Sequence, residues 1–127
     1  MGQAFQDLLV WQRAMEMTVS IYDATRSFPR DERYGLISQL RRASVSVTSN
    51  IAEGRGRISK GEFRQFLGIA QGANYEVQTQ LLVARQLKMG KPEQLNQAEK
   101  LSVEVGKMLS AFIASLEAKS EKLGAKS

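Results

Sequence analysis

Ser59-Lys60-Gly61-Glu62-Phe63-Arg64-Gln65-Phe66-Leu67-Gly68-Ile69-Ala70 is the stretch that decides the fold. Ser59 and Glu62 have the spacing of a capping box, in which each side chain can satisfy the other residue's orphan backbone N–H. From there Phe63, Leu67, Ala70, Asn74, Val77, Leu81 and Ala84 recur at steps of three and four, which predicts one helix over residues 60–88. Upstream, a helix over 32–53 is expected to start after Pro29 with Asp31 as cap. It repeats Leu36, Leu40, Ala43, Val47 and Ile51 and ends where Gly54 can take the left-handed C′ conformation. A first helix over 8–27, capped by Asp7, carries Trp11, Ala14, Thr18, Ile21, Thr25 and Phe28. A fourth, over 93–118, opens at Pro92 and carries Leu95, Ala98, Leu101, Val105, Met108, Phe112 and Leu116, with 119–127 expected to fray.

No segment reads as a strand, so the chain is expected to be all-α. Short connections force sequential helices to run antiparallel, which makes 1–127 a single up-down-up-down four-helix bundle with helices ~30 Å long.

Composition narrows the chemistry. The chain has neither Cys nor His, which removes thiolate and imidazole metal sites, Cys nucleophiles and His bases together. No nucleotide-binding glycine motif occurs, so neither an enzyme, a cofactor nor a metal is expected. Nothing approaches the ~20 apolar residues of a membrane span, and the start lacks a charged segment followed by an apolar one, so a cytoplasmic protein with no membrane contact is expected.

The net charge of +5 is unevenly placed. Residues 1–32 sum to −2, 33–64 to +5, and 65–90 and 91–127 to +1 each. Arg55, Arg57, Lys60 and Arg64 lie beside the start of the third helix, where unpaired N–H groups and the positive dipole end already attract anions. Arg41 and Arg42 lie near the middle of the second helix, so these six cations are expected to form one nucleic-acid-binding surface only after assembly. The competing reading is a solubilising turn plus intersubunit salt bridges to Glu53 and Glu76, on a scaffold for a protein partner.

Two features point to assembly. From Ala43 to Ala52 no side chain is larger than Ile, although a solvated helix usually carries a long charged residue every turn. Val45 and Ala52 lie off the main stripe of that helix, and Phe66, Ile69, Ala73 and Leu87 form a second stripe on the next. Either these stripes widen the core, or Arg42, Val45, Ser49, Ala52, Glu53, Phe66, Ile69 and Ala73 form a subunit interface. Glu53, in a last helical turn, meets the negative end of the dipole and calls for a cation: Arg57 across the turn, or Arg42 of another subunit. Asn74, alone on an apolar face, is expected to set register or oligomer state, and Trp11, Phe63 and Phe112 read as core.

Several stretches carry a family resemblance. Phe5-x-Asp7-Leu8-x-Val10-Trp11-Gln12-x-Ala14 and Phe28-Pro29-x-x-Glu32-x-Tyr34-Gly35-Leu36-x-x-Gln39-Leu40-Arg41-Arg42-Ala43 are the first two. Ser46-x-x-x-Asn50-Ile51-Ala52-Glu53-Gly54-x-Gly56-Arg57 and Phe66-Leu67-x-Ile69-Ala70-x-Gly72, with Glu76 and Gln80-Leu81, complete the set. Over residues 5–115 the chain resembles the bacterial four-helix bundle proteins of the 23S rRNA intervening-sequence type. The resemblance implies an antiparallel bundle assembling into a ring-like homopentamer, as in relatives that include the accessory variability determinant of diversity-generating retroelements, which acts through nucleic acid and a reverse transcriptase. This chain departs from the family at Ala73-Asn74, where a Ser is more usual.

Overall fold

The computed structural model describes residues 4–126, with side chains described as far as residue 118. Among the described residues there is no strand; four helices, α1 (Leu9–Thr25), α2 (Leu36–Arg55), α3 (Lys60–Gln86) and α4 (Pro92–Lys126), pack around one core. Met17, Ile21, Leu40, Ile51, Leu67, Leu81 and Leu109 fill its centre fully buried, each the apolar face of a 3.6-residue repeat. The fraying expected from Lys119 falls on residues whose side chains lie outside the described set, and the α4 backbone is helical to Lys126.

The helix starts depart from expectation where tight turns intervene. Phe5–Asp7 forms a 3-10 turn, so Leu8 rather than Asp7 takes the N-cap position of α1, with no side-chain cap. The turn is held instead by Trp11, packed edge-on against Phe5 with ring centroids 5.2 Å apart. A second 3-10 turn, Arg30–Glu32, follows Pro29 and delays α2 to Leu36, four residues past the expected start. Asp31 is therefore not the cap. The carboxylate of Glu32 does that work, its Oε1 accepting from the Leu36 backbone N–H at 3.0 Å, a favourable place for a negative charge.

The end of α2 differs as well. Gly54 is not a left-handed cap: it is buried inside the helix, which runs to Arg55 and closes at Gly56 in a right-handed conformation (φ −81°, ψ −4°). Its lack of a side chain serves helix packing, because a Cβ at Gly54 would lie 2.6 Å from Cβ of Phe66 on α3.

The start of α3 follows half of the capping-box reading: Ser59 caps the helix, but the Glu62 carboxylate meets the Ser59 hydroxyl and not its backbone N–H. Ser59 Oγ accepts from the Glu62 backbone N–H at 3.1 Å and donates to Glu62 Oε1 at 3.3 Å. Ser59→Ala should therefore cost ~1 kcal/mol of stability, measurable by chemical denaturation.

Polar contacts fix how neighbouring helices meet. Within the small-residue run of α2, Ser44 meets α1, where Thr18 Oγ1 donates to Ser44 O at 3.1 Å. Between α1 and α4, Arg13 reaches Glu104 at 2.9 Å while also pairing with Glu16. The hydrogen bond to Glu16, with the attraction of Glu104, holds its guanidinium more firmly protonated than usual.

Between α3 and α4 a buried polar ladder runs through the core. Asn74 Nδ2 donates to Ser102 O at 2.9 Å and Ser102 Oγ donates to Asn74 Oδ1 at 2.7 Å. Gln71 Nε2 donates to Gly106 O at 3.0 Å and to Ser110 Oγ at 2.8 Å. Asn74 thus sets register inside one chain.

Candidate nucleic-acid interface

The α2–α3 turn is short because Gly56 ends one helix and Ser59 caps the next. It gathers Arg55, Arg57, Lys60 and Arg64 within ten positions around the N-terminus of α3. Each of the three arginines is positioned by a neighbour. Arg57 Nη2 pairs with Glu53 Oε1 at 2.9 Å, and its guanidinium lies 4.6 Å from the Phe66 ring centroid, so it is stacked and oriented rather than free to sweep. Arg55 lies 6.0 Å from the centroid of Phe63. Arg64 Nη1 approaches Glu117 Oε1 of α4 at 3.9 Å, a loose pair between two exposed groups that adds little to stability. No carboxylate among the described residues lies within ion-pair distance of Arg55 or Lys60.

Within a single chain the six cations do not share one surface, so a joint surface requires assembly. Arg41 and Arg55 are fourteen positions apart on α2, ~20 Å along the axis. Arg41 instead faces α1, its Nε donating to Thr25 Oγ1 at 2.9 Å and its guanidinium lying 4.6 Å from the Tyr22 ring centroid. Arg42 lies on the α2–α3 side, in an open groove shared with Gln39, Ala43, Ser46, Ala73, Glu76 and Gln80. Glu53 takes the nearer of the partners considered for it, Arg57 of the same chain.

The residues singled out for a subunit interface divide by exposure. Ala73 is buried within the chain, and Ala52 and Phe66 are half-buried. Val45 at 40%, Ile69 at 49%, and Ser49, Arg42 and Glu53 are exposed. Of the second stripes of α2 and α3 only Ala73 joins the core, while Val45, Ile69 and Leu87 remain as apolar groups on the surface.

Sequence reasoning passed over Arg26 and Arg30. With Arg33 and Arg41 they line an open groove at the α1–α2 connection, floored by Phe28 and Ile37. The signal was present, since both flank Pro29, but they belong to a segment whose charges sum to −2.

No helix among the described residues is long and apolar enough to cross a membrane. Four helices around one core, with arginines gathered at the turns, define an all-helical protein whose distinctive chemistry is cationic. The chain belongs to the 23S rRNA-intervening sequence protein family, matching over residues 6–111. It is similar in fold to a crystal structure of a protein of unknown function from the S23 ribosomal protein family of Bacteroides thetaiotaomicron. The two share 23% identity and a TM-score of 0.74, covering 83% of this chain and 98% of that one. Among curated proteins none matches the chain.

Proposed function

We propose that the chain is a non-enzymatic, cytoplasmic, homo-oligomeric protein that binds RNA or DNA phosphates through the corner formed by Arg55, Arg57, Lys60 and Arg64. The observation that carries this reading is that stacking and ion pairing orient Arg57 beside a helix N-terminus where Arg55 and Lys60 have no carboxylate partner among the described residues. Arg42 joins them only across subunits. For the helices we infer an antiparallel up-down-up-down order. What supports it is the sequence of contacts: Arg64 with Glu117, Gln71 with Ser110, Asn74 with Ser102 and Arg85 with Glu99 pair rising numbers in α3 with falling ones in α4.

Binding of this kind is electrostatic, because each phosphate neutralised releases condensed counterions. Fluorescence polarisation with a short duplex should give a log–log salt slope of ~−3.6 for four cations, and Arg55→Ala with Arg57→Ala should shrink it by about 2. Absence of salt-sensitive binding to RNA and to DNA would refute the proposal.

A second reading has its own support. Arg42 and Glu76 line one groove with Gln80, whose Oε1 is buried without a hydrogen-bond partner, a polar opening that a protein partner or sister subunit could complete. If the same double substitution dissociates an oligomer, as read by light scattering, the arginines serve assembly instead.

A further inference from the structure

We propose that the groove at the α1–α2 connection is a binding site for a diphosphate group, distinct from the corner at the α2–α3 turn and independent of the reading above. The groove, about 610 Å³, is lined by Arg26, Arg30, Arg33 and Arg41, with Thr25, Phe28 and Ile37. No lining residue is acidic. Of the four arginines only Arg26 has a carboxylate within ion-pair distance among the described residues, Asp23 at 2.8 Å.

The nearby acids are otherwise placed. Glu32 is committed to the start of α2, where its carboxylate accepts from the Leu36 N–H, and Asp31 is exposed to solvent. Arg30, Arg33 and Arg41 thus stand around one concavity without an ion-pair partner among the described residues.

The site is built as well as charged. Arg41 donates its Nε to Thr25 Oγ1 and lies over the Tyr22 ring, which fixes the guanidinium plane and leaves its Nη groups for a ligand. Thr25 is itself buried and anchored, its Oγ1 lying 2.8 Å from Ile21 O. Arg33 lies over the exposed Tyr34 ring at 5.6 Å. Phe28, 6% exposed, gives the open groove an apolar floor. The floor is held from behind by the α3–α4 turn, in which Gly90 (φ +73°) presses against the Phe28 ring so closely that a Cβ would sit 2.7 Å away.

Charge count selects the ligand class. A diphosphate carries ~3 negative charges on adjacent groups, one for each guanidinium that lacks an ion-pair partner, whereas an internal phosphodiester brings one charge at a time. Inorganic pyrophosphate and the tail of a nucleoside diphosphate share this chemistry.

The test is isothermal titration of the intact chain with inorganic pyrophosphate at ~0.15 M salt, with orthophosphate, ADP and an RNA lacking terminal phosphates as parallel arms. The proposal expects saturable binding of pyrophosphate, one per chain, with orthophosphate and the RNA weaker by roughly tenfold or more at this site. ADP binding tighter than pyrophosphate identifies a nucleotide as the source of the group, and binding no tighter identifies the free anion. Arg30→Gln with Arg33→Gln, both exposed and outside any ion pair among the described residues, should weaken pyrophosphate by roughly tenfold or more at unchanged melting temperature, and Arg30→Lys with Arg33→Lys by less. Arg55→Ala with Arg57→Ala should leave it unaltered, which separates this site from the α2–α3 corner. No saturable binding, indifference to the Arg30 and Arg33 substitutions, or equal affinity for orthophosphate or the RNA would each overturn it.

Discussion

Gly54→Ala will destabilise the protein by ~3 kcal/mol, seen as a lower urea midpoint with an unchanged slope. Two effects of opposite sign meet at this position. Inside a helix, alanine is favoured over glycine by ~1 kcal/mol because it restricts the unfolded chain. Against that, the new methyl would stand 2.6 Å from Phe66 Cβ, 3.1 Å from Phe63 Cδ1 and 3.3 Å from Phe63 O. Neither the Phe66 Cβ nor a backbone carbonyl can rotate away, so α2 and α3 must move apart along their whole contact. Overpacking of that kind outweighs the propensity gain. Gly68→Ala supplies the control, since nothing lies within 4 Å of a Cβ built there on α3 and only the gain of ~1 kcal/mol remains in an isolated chain. A neutral or stabilised Gly54→Ala protein would mean that α2 and α3 are not in close contact at Gly54.

Gly54 also shows where reading the sequence stops. A glycine next to an apparent break looks the same whether it ends a helix or admits a neighbouring one, because both uses depend on the missing Cβ. Local spacing does resolve the Ser59 cap, since Ser59 and Glu62 interact only with each other's surroundings. It resolves the core stripes for the same reason, a helix face being a property of one segment. The start of α2 was not legible: Glu32 reaches forward over an intervening 3-10 turn to cap Leu36, and no periodic pattern encodes that reach.

The cationic sites were harder still. Summing charge along the chain drew attention to 33–64, yet proximity in sequence separated into different sides of α2 once the helix formed, with Arg41 turned to α1 and Arg42 to α3. The same summation concealed Arg30, which stands beside Asp31 and Glu32 in sequence but faces a groove that neither acid lines, whereas Arg26 in that groove does pair with Asp23. Net charge is a property of a segment, whereas an electrostatic site belongs to a surface.

Asn74→Ala should cost ~3 kcal/mol, because it opens a cavity and strands the buried Ser102 hydroxyl on α4 at once. Asn74 is 0% exposed and Ser102 likewise. Without the amide, the buried Ser102 hydroxyl loses its acceptor, while Ser102 O, satisfied within α4 like any mid-helix carbonyl, loses only its extra side-chain donor. Asn74→Ala with Ser102→Ala removes the stranded hydroxyl, so the double substitution should cost less than the sum of the two by ~1–2 kcal/mol. Asn74→Leu with Ser102→Ala makes the contact apolar on both sides and should recover much of the stability. It should not recover the rigid register, because an apolar seam tolerates axial sliding that the paired amide and hydroxyl forbid. Amide hydrogen exchange at the middle of α3 and α4 reads that difference, with faster exchange expected in the apolar variant than its stability alone requires. Strictly additive costs in the cycle would mean that Asn74 and Ser102 do not act as a pair, and the polar ladder would then be an incidental feature of the core.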